Sequence, residues 1–205
     1  YLLKGILKAK RSKIKPAHFQ ALTQLNIAAN HNNKGSLNHI REVEVGYRYN
    51  DIHTLITKQT IALFIGEVLF SAIREEEQNS DLYDYIETGL LWLDTHDSIS
   101  NFHLLFLLNL TRYLGFYPKT ENLKLPFFDL LEGKFVEKPS KHSISQEQLK
   151  QFKRLLGINF DEIHTVEFNA ENRHEILTLL IQYFELHLSG FKKPKSLEVL
   201  KTVFS

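Results

Sequence analysis

The sequence predicts an α+β chain, mostly α: a small β unit in front, then a helical domain with a short irregular insert. Three observations carry this. The apolar period is near two up to about Asn50 and near 3.6 from Ile52 onward. Charge divides at nearly the same place: residues 1–41 hold eight Lys and Arg and no acid, while the rest holds 17 basic and 24 acidic residues, a net of −7. Pro126, Gly133 and Pro139 break the helical pattern between Lys119 and His142. The predicted units are therefore 1–50 and 51–205, with the insert at 119–142.

The elements follow in order. Leu2, Leu3, Ile6 and Leu7 make a short strand-like run. Leu25, Ile27 and Ala29 alternate with Gln24, Asn26 and Ala28, which predicts a half-buried strand. Asn30 to Ser36 is a turn by composition, and Leu37 to Val45 is the second strand, with Val43 and Val45 inward. This β unit has too few strands to close on itself. Lys58 to Arg74 is apolar nearly all round, which predicts a central helix packed on most sides. Ser80 is placed as the cap of the next helix, with Leu82, Tyr85, Ile86, Leu90 and Leu93 on one stripe. Ser100 or Asn101 starts a third, which Leu114-Gly115 and Pro118 stop. In the insert, Gly133 to Val136 suggests one hairpin. Ser145-x-x-Gln148 is a capping box, Asn169 caps a helix that runs to Gly190, and a short helix follows Pro194 and Ser196.

Composition excludes several classes. With 205 residues, 43% of them hydrophobic, the chain buries a core without staples, so it is neither a disordered tail nor a disulfide mini-protein. It has no Cys, which removes disulfides, thiol catalysis and thiolate metal sites and suits a reducing cytoplasm. The most apolar uncharged run, Ser98 to Thr111, is 14 residues; the longer one, Pro16 to Asn33, is broken throughout by Gln, Asn and His. A membrane span needs about 17–25, so no membrane partner is expected. The chain has no Met and starts at Tyr1, so the sequence is read as truncated at its N-terminus.

The sharpest functional signal is Lys8-Ala9-Lys10-Arg11-Ser12-Lys13-Ile14-Lys15. Binding a nucleic-acid backbone takes clustered cations, and local acids would cancel their field. Lys4, Lys8, Lys10, Arg11, Lys13, Lys15, Lys34 and Arg41 are the candidate DNA-binding residues; the bland alternative is a solvated loop. Asp161-x-x-His164 and Glu171-x-x-His174 invite a metal reading, but they lie ten residues apart near helix starts, where such pairs are solvated end groups. No metal and no cofactor are expected. No G-x-S-x-G, Walker A or Rossmann glycine pattern occurs, so no catalytic residue is assigned. Glu75-Glu76-Glu77 reads as a solvated helix end. Phe102, Phe106, Tyr113, Phe116 and Tyr117 form an aromatic stripe that belongs to the core, although one rim of it suits a peptide groove.

Several of these strings together resemble a known family. Leu3-Lys4-Gly5-Ile6, the basic run, and Phe19-Gln20-Ala21-Leu22-Thr23-Gln24-Leu25 are similar to the latter half of the OB domain of RecO recombination mediators. Ile61 to Phe64, Glu67-Val68-Leu69 and Arg74 to Glu77 resemble the first helices of its second domain. Phe102 to Phe106 with Arg112-Tyr113-Leu114-Gly115-Phe116 resembles the next helix, and Gly190-Phe191-x-x-Pro194-Lys195-Ser196-x-Glu198-Val199-Leu200 the C-terminal motif. Four motifs in order span nearly the whole chain.

The resemblance implies a partial OB-fold barrel followed by the helical domain, and a bacterial, cytoplasmic, nucleoid-associated DNA repair protein that is not an enzyme. It implies binding of single- and double-stranded DNA, strand annealing, engagement of the acidic tail of single-stranded DNA-binding protein, and loading of RecA together with RecR. An OB face that tracks nucleic acid with basic groups agrees with the charge reading. Some members hold zinc with four cysteines in the insert; this chain has none, so zinc is expected to be absent. The tail's carboxylate needs a cation beside an apolar slot. Two places qualify: Arg112 with Phe116 and Tyr117, slightly favoured for its aromatics, and Lys192, Lys193 and Lys195. A helical DNA-binding regulator with a basic arm and, less favoured, a helical carboxylate metalloenzyme are the alternative readings.

Overall fold

Strands β1 (Leu25–Asn30) and β2 (His39–Val45) pair antiparallel in the computed structural model, which describes residues 16–30, 39–73 and 78–205. Leu25 faces Val45 and Ile27 faces Val43, but the register slips between Ala28 and Ala29. Ala28 pairs with Glu42 and Ala29 with Ile40, so Arg41 is the extra residue of a β-bulge. Alternation from Val45 and Val43 puts Arg41 inward; the bulge gives that place to Ile40 and leaves Arg41 exposed. Ile27 is 45% exposed rather than inward, since among the described residues the sheet has two strands and gives its centre little cover. No closed barrel is present among the described residues. The predicted strand at residues 2–7 and the turn at 31–36 lie outside them.

The helical part runs α1 (Ile56–Ala72), α2 (Ser80–Thr95), α3 (Phe102–Tyr113), α4 (Gln146–Lys153), α5 (Ala170–His187) and α6 (Leu197–Val203). Local chemistry sets the ends. Ser145 and Gln148 form the expected capping box, and Asn169 accepts from the Asn172 amide. The cap of α2 is Asn79, whose Oδ1 accepts from the Leu82 amide at 2.9 Å, one residue before the predicted Ser80. Gly115, at φ +84°, turns the chain out of α3 where a Cβ would be strained.

The helix buried on most sides is α3, not α1. Every residue from Phe102 to Leu108 is buried. On α1, Phe64, Ile65 and Val68 are buried, but Ile56 is 72% exposed, Leu63 45% and Phe70 91%. These three are seven residues apart, so they line one face of the helix. A helix apolar all round need not be covered all round; the fold supplies partners for the remaining faces only.

The insert contains a hairpin, β3 (Phe127–Asp129) with β4 (Lys134–Val136), anchored by buried Phe128 and Phe135. Asp129 organises it: its Oδ1 accepts from the Leu131 and Glu132 amides at 2.9 Å each, and its Oδ2 accepts from the Ser140 hydroxyl. Between β2 and α1, Asp94 at the end of α2 accepts from the amides of Asn50, Asp51 and Ile52 at 2.9, 2.8 and 3.0 Å. Buried Lys58 donates to the Asp94 carbonyl at 2.7 Å and to the Asp51 carboxylate at 3.0 Å.

Candidate functional site

The open face of α1 forms the floor of a groove of about 780 Å³. Leu63, Gly66 and Phe70 lie on that floor; Ala21 and Leu22, from the loop before β1, form one wall. The other wall is the segment from Gly190 to Lys195, which brings Lys192, Lys193 and Lys195 to the rim. Gly66 leaves the floor low: a Cβ there would only touch Leu22 and Ala21 at 3.7–3.9 Å. The lysine segment is tied to α1. The Lys192 amide donates to Ser71 Oγ at 2.7 Å, and both the amide and the hydroxyl of Ser196 donate to Glu67 Oε2 at 2.9 Å. Lys193 also reaches Glu185 at 3.4 Å, an exposed pair of little energetic weight. An apolar trough with a cationic bank suits an acidic peptide with a bulky apolar residue. Burying one such side chain contributes about 1.5–3 kcal/mol.

Arg112 sits elsewhere. Its guanidinium lies 4.1 Å over the Tyr117 ring, beside a cleft of about 880 Å³ between α2, α3 and residues 157–160. Asp81 and Asp84 line the same cleft. Like charges oppose a carboxylate ligand there. Phe116 points the other way, stacked on His187 at 5.1 Å and edge-on to Phe184. The two sequence-level candidates are thus distinct sites, and Phe116 belongs to neither. The groove of α1 was missed in the sequence because its floor residues read as core. Nothing in the sequence separates Leu63 and Phe70 from their buried neighbours on the same all-apolar helix.

Of the candidate DNA-binding residues, Arg41 is described: it stands exposed on the bulge of β2, with exposed Arg48 and half-buried Tyr47 following the strand. Tyr47 and Arg48 are a neighbouring aromatic and cation that the charge reading passed over. Lys4, Lys8, Lys10, Arg11, Lys13, Lys15 and Lys34 lie outside the described residues, as do Glu75, Glu76 and Glu77.

No group of three or more His, Asp or Glu able to hold a metal ion occurs among the described residues. His174 Nε2 instead bonds the Lys201 carbonyl at 3.0 Å, and Asp161 accepts from the Trp92 indole at 2.9 Å. The insert does not fit zinc: it has no thiol, and Asp129 is engaged by two amides and a hydroxyl. No helix among the described residues is long and apolar enough to cross a membrane.

Residues 53–198 match the family model described as Recombination protein O C terminal. The chain is 44% identical over 205 residues, all of its length, to the DNA repair protein RecO of Flavobacterium psychrophilum, covering 86% of that protein. It is equally similar to that of Christiangramia forsetii, at 44% over the same shares of both chains. The RecO of Phocaeicola vulgatus is 34% identical over 99% of this chain and 86% of its own. No solved structure matches.

Proposed function

Since the chain belongs to the RecO family of DNA repair proteins, we propose that it is a non-enzymatic recombination mediator with two ligand faces. One is the basic β unit, read as the latter part of an OB domain, which binds single- and double-stranded DNA. Lys4, Lys8, Lys10, Arg11, Lys13, Lys15, Lys34 and Arg41 neutralise phosphates there. Screening two strands at once removes the repulsion that opposes their pairing, which is how annealing proceeds without bond chemistry.

The other face is the α1 groove, which takes the acidic tail of single-stranded DNA-binding protein. The observation that carries this is the apolar floor of Leu63 and Phe70 beneath the bank of Lys192, Lys193 and Lys195. The tail's terminal apolar side chain fills the trough, and the lysines meet its carboxylates. Holding the tail and the DNA together brings the protein to covered single strands, where it works with RecR to load RecA.

Fluorescence anisotropy with a labelled acidic peptide ending in Phe tests the groove. Replacing Lys192, Lys193 and Lys195 with Glu should weaken binding at least tenfold, while Arg112→Glu should leave it within twofold. The reverse pattern moves the site to the Arg112 cleft.

A further inference from the structure

We propose that Glu67 and Ser71 are positioning residues of this groove: they latch the lysine segment onto α1 and so present its cations to the ligand. This rests on the groove being an acidic-peptide site. The latch joins parts of the chain 121 and 129 residues apart. It also works through backbone amides at both ends of the segment, Lys192 at one and Ser196 at the other. Lys192, Lys193 and Lys195 lie between or at these anchors with exposed side chains.

The geometry explains why an acid sits on the wall of a site for acids. Glu67 Oε2 takes two hydrogen bonds from Ser196, at 2.9 Å each, so this carboxylate oxygen is turned onto the segment that carries the lysines. Ser196 is 4% exposed and is also the residue before α6, so the anchor is continuous with a packed helix. Pro194, buried between the anchors, stiffens the arc. A segment held this way keeps its cations over the trough before a ligand arrives, and so loses little entropy on binding.

The test uses the full chain and a labelled probe of four aspartates followed by Phe with a free carboxylate. A second probe has asparagines and a C-terminal amide. The Glu67→Ala/Ser71→Ala variant should lose at least tenfold in affinity for the acidic probe and change less than twofold for the neutral one. A variant that merely collapsed the trough would lose both. Glu67→Gln retains an acceptor for Ser196 and should bind the acidic probe at least as well as wild type. Hydrogen exchange at the Lys192 and Ser196 amides reads the latch without any ligand: both should be slow in wild type and at least tenfold faster in the double variant. If that variant fails to fold, Ser71→Ala alone should speed exchange at Lys192. Unchanged exchange in the folded variants overturns the latch outright. Wild-type affinity in the double variant, with binding lost in the lysine triple variant, overturns its role in presentation alone. Wild-type affinity in the lysine triple variant overturns the groove reading and, with it, the presentation role.

Discussion

His103 is fully enclosed by Phe64, Phe204 and the neighbouring helices, and its Nδ1 has no hydrogen-bond partner among the described residues. Burial, followed by the nearby Arg173 and His174, pushes its pKa down to about 3. The folded protein therefore keeps the ring neutral while the unfolded chain protonates near pH 6.5. Between those values the unfolded state holds the extra proton, so stability should fall as pH drops below about 6.5. Urea unfolding across pH 4–8 should show this slope, and His103→Leu should flatten it; an equally steep slope in the variant would place the titration elsewhere. At Gly133, φ is +61° and a Cβ would lie 2.6 Å from the Tyr183 hydroxyl, which itself donates to the Phe116 carbonyl. Gly133→Ala should cost at least about 1–2 kcal/mol, read from the denaturation midpoint. The sequence showed Gly133 as a breaker. It could not show Tyr183 pressing on it from fifty residues away, because that contact exists only once α5 is docked.

The elements were legible where their signals are local. The capping box at Ser145, the Asn169 cap and the Gly115 stop all stand where residue chemistry put them. Asn79 displaced Ser80 because both are good caps and only the turn geometry chooses between them. Which faces get covered was not legible. The apolar girdle of α1 gave no hint that Ile56, Leu63 and Phe70 would stay open, and the bulge that exposes Arg41 has no signature in the alternation. The joint between β2 and α1 was invisible too, since Asp94 lies over forty residues from the amides it holds. Burial opposes ionisation of Asp94, but three amides and then Lys58 outweigh it and hold the carboxyl below its ordinary range. That stabilisation is complete above about pH 4 and lost as pH falls through the lowered value. Asp94→Ala strands three amides, although Lys58 keeps the backbone carbonyl at 94 and the Asp51 carboxylate, so a loss of about 1–3 kcal/mol is expected. Thermal melts at pH 7 measure it, and a loss under about 1 kcal/mol would show that the joint is held by packing alone.

At the scale of the whole molecule, the separation of charge is the feature the sequence displayed most openly. A basic front and an acidic remainder predict binding to DNA through a small part of the surface. Replacing Lys10, Arg11 and Lys13 with Ala should weaken binding to all DNA sequences about equally. It should also lower the slope of log K against log salt by about 0.7–0.9 for each phosphate no longer neutralised. An unchanged slope would remove those residues from the interface, and a strong preference among duplex sequences would favour a regulator instead. A strong chelator should leave the melting temperature unchanged, given the insert's thiol-free interior. The two walls of the α1 groove come from distant parts of the chain: Ala21 and Leu22 from before β1, the lysine segment from before α6. On the proposed function, a peptide across both walls would favour one arrangement of these segments, and DNA bound beside the first of them would act on the same arrangement. The two ligands would then be thermodynamically linked, and whatever factor the peptide applied to DNA affinity, DNA would have to return to the peptide.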